Sequence, residues 1–320
     1  MTYTIEKVTT LIGARRYGDN DTNIGFILTD SRSLCFPEET LFFALKSERN
    51  DGHNYIPELY RRGVKNFVVT DVPKGYASDY PEANFLKVVN TLEALQRLAE
   101  RHRDEFNIPI VGITGSNGKT MVKEWLYQLL SPSMFVTRSP RSYNSQIGVP
   151  LSVWLMNEQT QVGVFEAGIS QPGEMLALRD IIQPTIAVLT NVGSAHQENF
   201  SSLEEKCREK LILFHDAETV VYDGDDEVIT KVVAEYPDYK GEKLFWSLKN
   251  PEAPFYVKKI EKQQSVSVIT YIYKGVEDSF SIPFIDDASI QNSIICAAVA
   301  SKIGLSAEDI DKRMALLEPV

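Results

Sequence analysis

The stretch Ile110-Val111-Gly112-Ile113-Thr114-Gly115-Ser116-Asn117-Gly118-Lys119-Thr120 constrains this chain more than any other, because an apolar run breaks there into a glycine-rich turn ending in Lys-Thr. Pro109 marks its start, Val111 and Ile113 suit a buried strand, and Met121 to Leu130 has apolar residues at helical spacing. The turn is therefore expected between a strand and a helix. In that setting glycines let backbone N–H groups converge on phosphate oxygens, and the helix start adds its positive end. Lys119 is placed to reach β/γ-phosphates and the Thr120 hydroxyl to ligate Mg²⁺. The general pattern wants a glycine where Ile113 stands, so an ordinary glycine-rich turn with a surface lysine is the competing reading.

From Pro109 onward strands and helices alternate, which predicts an α/β fold with a doubly wound, mostly parallel central sheet. The strand Gln161–Phe165 runs into Glu166, an acid placed either to hold Mg²⁺ beside the P-loop or to cap the next turn. Ile186–Thr190 is another apolar strand, followed by Asn191-Val192-Gly193-Ser194-Ala195-His196 on the edge where such sheets bind ligands. His196 reads as a ligand-side or a structural histidine, His102 as part of a solvated helix face and His215 as structural. A helix is expected from Ser202 to Phe214, with Ser202 and Glu205 as a capping box. Its Lys206, Arg208 and Lys210 sit among acids, the composition of a solvated face. Between Phe255 and Ile285 the apolar residues alternate with period two, with turns at Gln263-Gln264 and Gly275, predicting an antiparallel appendage. A helix from Ile290 to Ile303 ends at Gly304, and Ser306 opens another.

Residues 1–107 read as a separate small α/β domain, with 108–320 as the P-loop domain. Strands are expected over 24–29, 40–45, 66–70 and around Val88-Val89, a helix over 55–62, and a long helix from Leu92 to Phe106 capped by Thr91. Asp30-Ser31-Arg32 and Asp51-Gly52-His53 lie at strand ends and read as polar turns. A net charge of −11 argues against a nucleic-acid partner, which needs an extended basic face. No run reaches membrane-spanning length and the start lacks signal-peptide character, so a cytoplasmic protein without membrane insertion is expected, as a monomer. Cys35, Cys207 and Cys296 are scattered and odd in number, so reduced thiols in packed or neutral positions are expected.

Taken in order, Asp30-Ser31-Arg32, Leu41–Leu45, Asp51-Gly52-His53, Thr114–Thr120, Asn144 with Ile147–Pro150, Glu166-Ala167-Gly168 with Pro172-Gly173-Glu174, and Thr190–Gly193 with Ala195-His196 resemble the Mur ligase family over nearly the whole chain. These are ATP-dependent amide-forming enzymes of peptidoglycan assembly. Ile113 at the glycine position is what the Mur-type loop looks like. Among its branches the series is most similar to the one that joins D-alanyl-D-alanine to the UDP-N-acetylmuramoyl tripeptide through an acyl phosphate. A sister ligase adding diaminopimelate or lysine, a folylpolyglutamate synthetase-like ligase and a non-catalytic ATP-binding module are the alternatives.

The resemblance implies ATP held by Thr114, Gly115, Ser116, Asn117, Gly118, Lys119 and Thr120, with Asn292 on the adenine side. It implies two Mg²⁺ ions: Thr120 and Glu166 at one, His196 and a lysine carbamylated by CO₂, here Lys210, at the other. Lys119, Glu166, His196 and Lys210 are thus the expected catalytic set. Ser31, Arg32, Lys46 and His53 would line the UDP-sugar pocket, with Asn144 a phosphate-side contact. Ser145 and Gln146 depart from the relatives' Asn and Glu. The third, amine-binding domain of the family lies outside these residues, as would an alanine racemase fused to some relatives, so this chain is expected to bind nucleotide without ligating.

Overall fold

The computed structural model describes residues 1–193, 197–237 and 239–320, in two compact units, Met1–Phe106 and Asn107–Val320. In the first unit the strands Arg15–Tyr17, Asn84–Lys87, Asn66–Val69, Thr40–Phe43 and Phe26–Leu28 form one sheet in that order. All neighbours are parallel except Arg15–Tyr17, which runs against Asn84–Lys87. Inner strands of such a sheet are covered on both faces, and Thr40–Phe43 and Asn66–Val69 are buried at every residue. Phe42, Phe67 and Phe85 pack ring to ring in the core.

Several local expectations shift here. The fourth strand ends at Lys87, and Val89, expected inside it, is 98% exposed. Asn90, not Thr91, caps the long helix, accepting from the Leu92 and Glu93 N–H groups, and the helix spans Thr91–Arg103. His102 is buried, its Nδ1 2.8 Å from the Tyr3 hydroxyl and its ring edge-on to Tyr3 and Phe106. The neighbours Arg101, Arg103 and Asp104 suggested a solvated face, but this face packs inward within the unit.

The second unit holds a nine-stranded sheet in the order Val136–Arg138, Val162–Glu166, Ile110–Thr114, Ile186–Leu189, Thr219–Asp223, Glu242–Ser247, Phe255–Lys262, Ser267–Tyr273 and Val276–Ile282. Neighbours are parallel as far as Phe255–Lys262, and the last two pairings are antiparallel. The predicted antiparallel appendage is thus continuous with the main sheet, turning tightly at Lys274-Gly275, both in the left-handed region. The P-loop strand Ile110–Thr114 lies between Val162–Glu166 and Ile186–Leu189, where the winding reverses; in such sheets the ligand crevice lies at the strands' C-terminal ends there.

Gly304 ends the helix Asp287–Ile303 and Ser306 caps Ala307–Met314, as the sequence predicts. His215 is exposed beside Asp216, contrary to its structural reading. Cys207 and Cys296 are buried free thiols and Cys35 is an exposed one; burial pushes the Cys207 thiol up to about 12. Among the described residues no helix is long and apolar enough to cross a membrane.

Candidate functional site

The turn after Ile110–Thr114 demands glycine twice. Gly115 has φ +147°, and a Cβ on it would lie 1.9 Å from Thr190 Oγ1; Gly118 has φ +83°, and a Cβ there would lie 2.6 Å from Asn292 Oδ1. Neither position tolerates a side chain. Thr190–Gly193 braces the turn from the adjacent strand end. Ser116 N donates to the Asn191 carbonyl (3.0 Å), Asn117 N to Asn191 Oδ1 (3.0 Å) and Gly193 N to Ser116 Oγ (2.9 Å). The helix Lys119–Leu130 starts at Gly118, so the unbonded N–H groups of its first turn face the crevice end of the sheet. Asn292 sits at that start, its amide donating to Met121 Sδ at 3.2 Å.

Lys119 folds back to donate to the Gly115 carbonyl at 2.8 Å; burial lowers its pKa, nearby Glu166 opposes that shift and Lys206 adds to it. Thr120 Oγ1 donates to Glu166 Oε2 at 3.2 Å and lies 3.4 Å from Ser142 Oγ. Asn144 Nδ2 approaches the same carboxylate oxygen at 3.4 Å. Gly168 is the residue that lets Asn144 in, since a Cβ there would lie 2.8 Å from Asn144 Cγ. Glu166 is the last residue of its strand and fully buried, and its Oε1 pairs with Lys123 Nζ at 3.1 Å.

The helix Leu203–Leu211 overturns the solvated reading of its lysines. Lys206 and Lys210 are 1% and 2% exposed, and only Arg208 of the three faces solvent, paired with Glu235. Lys206 Nζ donates to the Gly193 carbonyl (2.6 Å), in the segment that braces the P-loop, and Lys210 Nζ to the Gly115 carbonyl (3.2 Å) of the P-loop itself. Burial, with the charges of Lys119 and Lys206, brings the Lys210 pKa down to about 7. The capping box forms in altered register: Ser202 accepts from Glu205 N, while the Glu205 carboxylate accepts from Ser201. Glu209 caps the helix Glu174–Ile182 through Gly173 N and Met175 N, and Glu174 accepts from Ser170 N and Gln171 N. The Pro172-Gly173-Glu174 segment is therefore a loop-building element. His196 lies outside the described residues.

In the first unit Asp30 pairs with Arg32 at 2.6 Å, which holds the Asp30 carboxyl down at about 2, and the Ser31 carbonyl accepts from Arg62. Lys46 Nζ lies 3.8 Å from Asp51 Oδ2. His53 Nε2 accepts from Thr70 N (3.1 Å), so the proton is on Nδ1, which donates to Asp51 Oδ1 (2.6 Å). Both ring nitrogens are engaged inside the unit, so His53 serves this cluster through Asp51.

Sequence reasoning missed Lys123, Ser142 and Lys206. A signal existed for Lys123, which shares a helix face with the buried Leu126 and Leu130. The donors fit Mg²⁺: a hydroxyl and a carboxylate oxygen are hard ligands set where phosphates would complete the shell. Among the described residues no group of three His, Cys, Asp or Glu assembles, so phosphate and water oxygens would have to supply the remainder.

A glycine loop between strand and helix, at a switch point, with an acid on the neighbouring strand, defines a P-loop α/β protein. Residues 113–300 match the Mur ligase middle domain and residues 23–103 match "Mur ligase family, catalytic domain". The chain belongs to the Mur ligase family.

The chain is 28% identical over 304 residues to UDP-N-acetylmuramoyl-tripeptide--D-alanyl-D-alanine ligase of Bacillus subtilis, covering 93% of this chain and 63% of that protein. It thus spans under two thirds of that relative's length. Its fold matches a crystal structure of MurF from Acinetobacter baumannii with TM-score 0.90 at 24% identity, over 100% of this chain and 69% of that one. It also matches MurF ligase from Thermotoga maritima in complex with ADP, with TM-score 0.79 at 26% identity, over 92% of this chain and 66% of that one.

Proposed function

We propose that this chain binds ATP with Mg²⁺ and activates the terminal carboxylate of the UDP-N-acetylmuramoyl tripeptide for joining to D-alanyl-D-alanine in peptidoglycan synthesis, in the cytoplasm. The observation that carries it is the convergence of Lys119 and Lys210 on the glycine loop, and of Lys206 on the Gly193 carbonyl that braces it, beside Thr120 and Glu166. Three ammonium groups crowd a small, largely buried volume, an arrangement that a polyphosphate would relieve.

In this reading the loop backbone and Lys119 hold the ATP phosphates, and Asn292 flanks the adenine side. Thr120 and Glu166 hold one Mg²⁺, which supplies charge neutralisation when bound. His196 and a carbamylated Lys210 are assigned to a second ion. Carbamate formation needs an unprotonated amine, adds CO₂ to it and releases a proton. The product turns a cation crowded by Lys119 and Lys206 into an anion. Ser31, Arg32 and Lys46, with His53 behind Asp51, are assigned to the UDP-sugar, and Asn144 to the phosphate side. In the complete ligase reaction the substrate carboxylate attacks the γ-phosphorus, ADP leaves, and the dipeptide amine displaces phosphate from the acyl phosphate; these residues are assigned to its nucleotide and carboxylate side, without ligation by this chain alone.

Calorimetric titration with ATP·Mg²⁺ and, separately, with the UDP-muramoyl tripeptide tests the reading. Both should bind, and Lys119→Ala should lose about 2 kcal/mol, roughly thirtyfold, for nucleotide alone. Nucleotide binding with no affinity for the muramoyl peptide would replace this reading with a non-catalytic nucleotide module.

A further inference from the structure

Lys123 lies four residues after Lys119 on the P-loop helix, and its side chain has no exposed surface. An ammonium has three N–H bonds. This one donates to the Arg141 carbonyl and stands in ion-pair distance of two carboxylate oxygens, Glu166 Oε1 at 3.1 Å and Glu124 Oε1 at 2.9 Å, although Glu166 Oε1 accepts no hydrogen bond. Glu124 continues outward to Arg138 Nε at 2.9 Å, so two acids and two bases alternate from the strand end to the edge of the sheet. Charge is balanced along that row, which is what lets Glu166 stay buried.

Two consequences reach the nucleotide cradle. With Oε1 turned to the Lys123 ammonium in an ion pair, the oxygen that Glu166 presents is Oε2, beside Thr120 Oγ1 and Asn144 Nδ2. Arg141 has φ +48°, a left-handed conformation that is unfavourable for a non-glycine residue. The Lys123 bond to its carbonyl holds that turn, and the turn carries Ser142 to within 3.4 Å of Thr120 and Asn144 to Glu166.

We propose that Lys123 is the positioning residue of the P-loop metal site, aiming a single oxygen of Glu166 at the ion and clamping the 139–147 loop beside it. This rests on the reading of Thr120 and Glu166 as metal donors. Lys123 itself touches neither nucleotide nor metal in this assignment.

The test is calorimetry of the 320-residue chain with ADP, once in EDTA and once in MgCl₂, taking the ratio of the two affinities. Lys123→Met should lower that ratio about tenfold, the usual size for a residue that orients a ligand, and leave the metal-free affinity at the wild-type value. An unchanged ratio overturns the proposal, and so does an equal loss of both affinities, which is the mark of general structural damage. Wild-type protein whose ADP affinity ignores Mg²⁺ overturns the reading of Thr120 and Glu166 along with it. Should Lys123→Met not fold, Lys123→Arg takes its place: a planar fork keeps the charge but not the compact ammonium set between the two carboxylates and the Arg141 carbonyl. The ratio should again fall, and a wild-type ratio there overturns the proposal.

Discussion

At the P-loop the charges are inside. Glu166 and Lys123 have no exposed surface, Lys206 and Lys210 almost none, and each meets a partner from another segment of the unit. In the first unit the charges assigned to the UDP-sugar stand in solvent, with the Arg32 side chain 87% and the Lys46 side chain 69% exposed. Both clusters sit at strand ends, yet they divide the work differently. Buried charges couple binding to folding, because removing one strands its partner in low dielectric. Exposed charges are free to change without that penalty.

The sharpest way to break this comparison is Glu166→Ala. It removes the proposed metal donor and takes from the buried Lys123 its one fully buried counter-charge, leaving Glu124 alone to balance it, so urea unfolding should show a loss of about 3 kcal/mol. Glu166→Gln should lose less, since it keeps the shape and a carbonyl acceptor. An unshifted midpoint for Glu166→Ala would place the pair with the exposed charges.

Asp223 tests burial without an ion pair at the end of the strand Thr219–Asp223. Burial, reinforced by Asp225 and Asp226, raises its pKa from 3.8 to about 6, with the Asp225 N–H opposing. The folded state then holds this proton more tightly than the unfolded chain, so ionisation costs stability above about pH 6 and nothing below 3.8. Asp223→Asn should therefore stabilise by on the order of 1 kcal/mol at pH 7.5, with the gain gone by pH 4, as read from unfolding temperatures across that range.

The smallest effect is expected at Arg32→Ala. Its unfolding temperature should match wild type while affinity for the UDP-muramoyl tripeptide falls. A shifted unfolding temperature would erase the contrast between the two regions.

The legible parts were those with local causes. Apolar runs bounded by turn residues located the inner strands, and Gly115, Gly118, Lys119 and Thr120 declared a phosphate loop because the motif is contiguous. Glu166 was legible because it ends a strand. The burial of Lys206, Lys210 and His102 was not: each sits among charged neighbours, and a helix reads the same in sequence whichever face the sheet covers. His215, beside apolar residues, erred in the opposite direction.

The sequence by itself thus determined the α/β class, the position of the phosphate loop on it and most strand locations, since these follow from spacing within a few residues. Only the tertiary structure decided which lysines are inside, that Thr190–Gly193 props the loop, and that Lys123, Glu124 and Arg138 stand behind Glu166. Those relations join residues far apart in the chain but adjacent across parallel strands, and burial of a charge is settled by what packs over it, not by what precedes it.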